Sequence, residues 1–136
     1  MPRRGKGKEV ASVATVSRSN WGLSPDGTKV AVSDGENSVK IVTIATGKTD
    51  EIQPRQKYFL TDIAWSANGK TLFASGWSGT VANVLVSIDS SGGVNVLKLE
   101  RPGAQWFHAL RVSPDGRYLA FTKRAFRSDL VLLENF

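Results

Sequence analysis

Ser-Pro-Asp-Gly occupies 24–27 and again 113–116, and Ser-Ala-Asn-Gly fills the matching place at 66–69. Ser24 to Ser66 is 42 residues and Ser66 to Ser113 is 47, so one unit is written three times along the chain. Leu23, Trp65 or Val112 precedes each turn, and a short apolar run, KVAV, TLFA or YLAF, follows it. A tight turn between two such runs is the local signal of a β-hairpin. Spelled three times at this spacing, it restricts the chain to a repeated antiparallel sheet.

The turn has a physical reason at each position. Pro25 and Pro114 preset φ for the first corner of a type I turn, and Asp26 and Asp115 cap it through their side chains. Gly27 and Gly116 take the left-handed position that closes a bulged hairpin. Asn68 and Gly69 do the same in the middle copy without the proline. Second strands are then expected at 29–33, 71–75 and 118–122, and third strands at 39–44, 80–88 and 129–133. Fourth strands are expected at 50–53 and 94–99, after the turns ATGK and DSSGG.

These strands are apolar on both faces. Leu72 and Ala74 point one way and Phe73 the other; Leu119 and Phe121 oppose Tyr118 and Ala120. A sheet with one wet face alternates more cleanly, whereas sheets stacked face to face need this pattern. β-branched residues, glycines and turn signals interrupt every window of helical length, so no helix is expected. A period in the forties with four short strands per unit is the signature of propeller blades. The fold expected is all-β, a partial β-propeller of about three four-stranded antiparallel blades.

With SPDGTKVAV, SANGKTLFA and SPDGRYLAF in view, the chain resembles the TolB-like and WD-repeat β-propellers, over residues 20–136. No Trp-Asp dipeptide ends the third strand and no Gly-His dipeptide opens a blade, which places the resemblance on the TolB-like side. The ending RSDLVLLENF is similar to the C-termini of bacterial multidomain proteins in which a propeller follows a protein kinase or a winged-helix regulator. That second resemblance implies a sensing or scaffolding module and brings no kinase chemistry into this chain.

The blade count is the awkward quantity, since propellers close with four to eight blades. The expected division is a basic leader at 1–8, a stray outer strand at 9–19, blades at 20–56 and 57–103, and an incomplete last blade at 104–136. EVASVATVS, 9–17, has the composition to be such an outer strand or to finish a preceding blade. Open blade faces present leucine, valine and phenylalanine to water, and such surfaces mark interfaces. The chain is therefore read as the C-terminal part of a larger propeller or as a protomer that completes a ring by self-association.

Charge says less than its total suggests. Of the net +6, four charges come from Arg3, Arg4, Lys6 and Lys8, leaving 14 basic against 12 acidic residues in the body. The leader is a candidate for nucleic-acid contact by counterion release, but no aromatic residue interleaves its charges and a solvated tail is the better reading. Nucleic acid is not an expected partner. No apolar stretch reaches the ~18–20 residues of a membrane span, and EVASVATVSRSN is no signal core. As written the chain is cytoplasmic; as a piece of a membrane-anchored parent its compartment would be open.

No reaction is identified. The chain has no cysteine and a single histidine, His108, which excludes thiolate and imidazole metal clusters, and the aspartates stand at turns where capping explains them. No cofactor is expected. ATGKT at 45–49 lacks the earlier glycine of a phosphate loop, Val42 standing there, and GWSG at 76–79 lacks the spacing of a nucleophile elbow. Propellers accompany some serine peptidases, so the alternative is a companion to a hydrolase or kinase whose catalytic residues lie outside this chain. His108 is read as a first-strand residue near the ring entrance.

Trp21 and Trp65, just before the repeated turn, are expected to pack between blades. In WD-type rings the loops from second to third strand and from blade to blade share one face that binds partners. Carried over by position, that face holds Trp77, Lys123, Arg124, Phe126 and Arg127 together with Arg55, Lys57, Tyr58, Arg101 and Trp106. Arginine and aromatic residues are what interfaces favour, though solvated loops account for them equally well. The reading is a non-enzymatic protein-interaction or sensing scaffold whose partner is a protein or further propeller blades.

Overall fold

The computed structural model describes residues 7–12, 20–34, 36–78, 82–100, 106–124, 128–134 and 136. Eleven strands and, among these residues, no helix make up the fold. Strands β1 (Trp21–Leu23), β2 (Lys29–Ser33), β3 (Val39–Thr43) and β4 (Thr49–Ile52) pair in chain order as blade 1. Strands β5 (Phe59–Trp65), β6 (Thr71–Ser78), β7 (Ala82–Asp89) and β8 (Val94–Glu100) form blade 2 in the same way. Blade 3 is three-stranded: β9 (Trp106–Val112), β10 (Tyr118–Arg124) and β11 (Ser128–Glu134). Every pairing is antiparallel.

The repeated turn is built identically three times around its serine. The hydroxyls of Ser24, Ser66 and Ser113 each donate to the side-chain oxygen two residues on, in Asp26, Asn68 and Asp115, at 2.7 Å. They also accept the backbone N–H of Lys29, Thr71 and Tyr118 at 2.9–3.1 Å. Gly27, Gly69 and Gly116 lie at φ of 74°, 71° and 74°, where a side chain is costly. The cap read from the aspartates is thus half the device, and the serine that carries the other half of it was legible only as part of the spelling.

Two seams hold the blades together. Between blades 1 and 2 lie Ala31, Val39 and Ile41 against Leu60, Ile63, Leu72, Ala74, Val84, Val86 and Ile88. Between blades 2 and 3 lie Phe73 and Leu85 against Phe107, Leu110, Leu119 and Phe121. Consecutive residues of β6 therefore feed different seams, as period-two strands must. Burying a Leu or Phe in such a seam contributes roughly 1.5–3 kcal/mol.

Polar bonds cross both seams. The Trp65 indole N–H donates to the Gly22 carbonyl at 2.8 Å, and the Asn20 amide donates to the Thr61 carbonyl. From blade 3, the Leu110 N–H donates to Asp62 at 2.9 Å, and the same carboxylate accepts the Ile63 N–H at 2.9 Å. The Asp62 side chain is buried and satisfied by these donors.

One expectation is corrected here. Trp21 is not packed between blades: it is 67% exposed, because its side of β1 faces away from blade 2 and no described sheet lies there. Of the expected outer strand at 9–19, residues 13–19 lie outside the described residues.

Candidate functional site

At one end of blade 2 an aromatic pair stands open to solvent. Phe59 opens β5 and Trp77 stands near the end of β6, and the strand register puts them opposite each other. Their rings stack with centroids 4.5 Å apart and planes 23° from parallel, while 43% of Phe59 and 41% of Trp77 stay exposed. Gly76 makes this possible, because a Cβ there would collide with the Phe59 carbonyl. Stacked aromatics left in water offer a rigid apolar platform at low entropic cost.

The connection leading into β5 brings Lys57 to within two residues of Phe59, while Arg55 lies near Asp89 at the far end of β7. Arg55 and Lys57 are exposed, and Tyr58 is half-buried with its hydroxyl donating to Gln56 at 2.8 Å. Three bonds hold this connection in place: Arg55 N–H to the Gly92 carbonyl at 2.9 Å, Tyr58 N–H to Asn37 at 3.1 Å, and Leu60 N–H to the Glu36 carbonyl at 3.0 Å. Tyr58 packs against the core between blades 1 and 2, while Phe59 and Trp77 stay in solvent. Phe59 was missed in the sequence reading; its cross-strand place opposite Trp77 was the available signal.

The remaining positions divide. The Lys123 ammonium is 2.8 Å from the Glu100 carboxylate and ties β10 to β8, so its charge joins two blades. Trp106 and Arg124 pair with each other at the ends of β9 and β10. Arg101, Phe126 and Arg127 lie outside the described residues. The turn residues Pro25, Asp26, Gly27, Asn68, Gly69, Pro114, Asp115 and Gly116 lie at the other end of the sheets, beyond Leu23, Trp65 and Val112.

A second concave surface, of about 870 Å³, runs along the inner strands β1, β5 and β9 and includes Asn20, Asp62, His108 and Arg111. His108 Nε2 is buried there without a hydrogen-bond partner among the described residues. Asp62 spends both oxygens on backbone N–H groups, and the Arg111 guanidinium donates to the Leu110 carbonyl at 2.7 Å. These groups hold the inner wall of the arc. Among the described residues no three His, Asp or Glu side chains converge as a metal site, and no helix is long and apolar enough to cross a membrane.

Comparisons with known proteins agree with this architecture. The family profile described as WD domain, G-beta repeat matches residues 52–82, the end of blade 1 and the first half of blade 2. No curated protein sequence matches the chain. Among solved structures it is similar to the tricorn protease, with a TM-score of 0.54 at 18% identity over 76% of this chain. The chain spans 11% of that protein's length, and at this identity the likeness concerns the fold alone. The fold is thus a partial β-propeller, one stretch of which, 52–82, matches the WD-repeat profile.

Proposed function

We propose that the chain is a non-enzymatic protein-interaction scaffold that engages its partner through the platform at the Phe59–Trp77 end of blade 2. The observation that carries this reading is the exposed aromatic stack itself, with the exposed Lys57 two residues before Phe59 in the chain. Interfaces concentrate their binding energy in aromatic and arginine anchors. The turn spelling of all three blades supports a TolB-like variant of the WD-repeat kind. A role beside a hydrolase has fold-level likeness behind it and no residue of this chain.

Immobilised full-length chain tests the reading by comparing proteins captured by the wild type with those captured by Trp77→Ala combined with Lys57→Ala. Loss of at least tenfold in affinity for a captured partner is expected, with the near-ultraviolet spectrum of the remaining tryptophans kept. Unchanged capture by the folded variant would sink this choice of face.

A further inference from the structure

The three repeated turns share one hydrogen-bond frame and differ in one functional group. Asp26, Asn68 and Asp115 hold the same place, and in each the side-chain Oδ1 accepts the serine hydroxyl at 2.7 Å and the backbone N–H two residues on at 3.0 Å. Where the two aspartates carry a second oxygen, Asn68 carries an amide nitrogen. Asn68 is exposed, and it is the one asparagine of the chain that glycine follows.

That pair of residues can react with itself. The Gly69 nitrogen attacks the Asn68 Cγ and gives its proton to water, the Cγ–Nδ2 bond breaks, and ammonia leaves a cyclic imide. Water then opens the imide: breaking the new bond between Cγ and nitrogen yields aspartate, and breaking the original peptide bond yields isoaspartate. Both groups sit on neighbouring residues, so no encounter has to be arranged.

The turn prepares the first step. Negative charge develops on Oδ1 during the attack, and the Ser66 hydroxyl and Lys70 N–H already donate to that atom. Donors fixed where charge develops lower the barrier. The nitrogen is also unshielded, since a Cβ on Gly69 would find its nearest neighbour, Pro25, only at 3.9 Å. Its hydrogen bond to the Ser66 carbonyl, 2.9 Å long, is surrendered as the proton leaves.

We infer that Asn68 is a site of spontaneous deamidation, with water as the only co-reactant, and that the fold accepts the aspartate formed there. Asp26 and Asp115 hold the same two donors in the same frame, so aspartate at 68 needs no rearrangement. Isoaspartate lengthens the main chain between Ser66 and Thr71, whose N–H the Ser66 hydroxyl accepts at 3.1 Å, and so disturbs the hairpin. The site is independent of the partner platform, which stands at the opposite end of β5 and β6.

Peptide mass mapping of the full chain, aged while folded in mildly alkaline buffer, tests the inference. Asn68 is expected to turn into acid at least tenfold faster than Asn37 or Asn95. Ser66→Ala, which takes one donor from Oδ1, should slow the conversion severalfold, and Ser66→Thr, which keeps the hydroxyl, should restore it. Ser113→Ala removes the same bond from another blade and should leave the rate at Asn68 unchanged. Asn68→Asp should melt with the wild type. An Asn68 that ages no faster than the other asparagines, or that ages faster in Ser66→Ala, overturns the inference, because the turn would then protect the residue. An Asn68→Asp chain that melts well below the wild type overturns the accommodation of the product.

Discussion

The seam between blades 1 and 2 and the seam between blades 2 and 3 join the same repeat positions with different materials. The first is aliphatic and is sealed by Trp65 lying on Gly22. The second is aromatic: Phe107 meets Phe121 edge-on at 5.3 Å, and Phe73 meets Phe136 edge-on at 5.0 Å. The polar crossing changes as well, from the Asn20 amide donating to Thr61 to the Asp62 carboxylate accepting from Leu110. The repeat prescribes where blades touch and leaves open what touches, provided that volume is shared out across the seam. A large Trp65 requires a glycine opposite; the smaller Val112 is accompanied by Ala64 in that place.

The largest break in this comparison comes from emptying each seam. Phe121→Ala should cost about 3–5 kcal/mol and Leu72→Ala about 2–5 kcal/mol in urea unfolding. Because the two side chains feed separate seams across one sheet, their costs should add to within about 0.5 kcal/mol in the double variant. A coupling well above that would show that the seams behave as one core.

Filling the first seam is the next test. A Cβ at Gly22 would lie 3.2 Å from the Ile63 carbonyl oxygen and 3.6 Å from the Trp65 ring. Gly22→Val should therefore destabilise by about 1–3 kcal/mol, and Ala64→Gly at the matching place in the second seam by about 1 kcal/mol or less. Equal costs would remove the claim that volume is apportioned differently.

The smallest effect distinguishes the turns. The Ser24 hydroxyl, then the Thr28 N–H and hydroxyl, hold the Asp26 carboxyl down from 3.8 to about 2, and the Ser113 hydroxyl with the Arg117 N–H lowers Asp115. A carboxylate depressed on folding contributes stability that is present above its unfolded value and lost as pH falls through its folded one. Stability should accordingly decline as pH drops from 3.8 towards about 2. Asp26→Asn with Asp115→Asn should flatten that decline by imitating Asn68, whose turn does not titrate. Thermal melts across this range that keep their slope in the double variant would assign the decline to other carboxylates, such as Glu51, which Lys40, Ser38 and Gln53 hold at about 2.

Much of the architecture was legible because the turn chemistry is local. Serine, aspartate or asparagine, and glycine at fixed offsets satisfy one another within six residues, so the hairpins follow from spelling alone. Two-faced strands were legible for a similar reason: LFA in β6 has no hydrophilic side to turn to water. Trp21 shows the limit. Its sequence neighbourhood matches that of Ile63 and Leu110, yet it is exposed, because burial depends on whether a sheet lies opposite and not on the residue.

The candidate site was legible only in part. Trp77, Arg55, Lys57 and Tyr58 were named from their place in the repeat, but Phe59 was not, since a strand-opening phenylalanine reads as core. Strand register decided that it stacks on Trp77 in solvent. Lys123 was named with the same face, and a distance of 2.8 Å to Glu100 decided that its charge ties two blades.

Local spelling therefore determined the hairpins, the blade period and the demand for apolar contact on both sides of each sheet, because short-range hydrogen bonds and period-two patterning are set by neighbours in the chain. Tertiary structure alone decided which apolar faces find a partner and which remain open, because contacts between blades join residues some forty positions apart, where only the stacking of the sheets fixes what meets what.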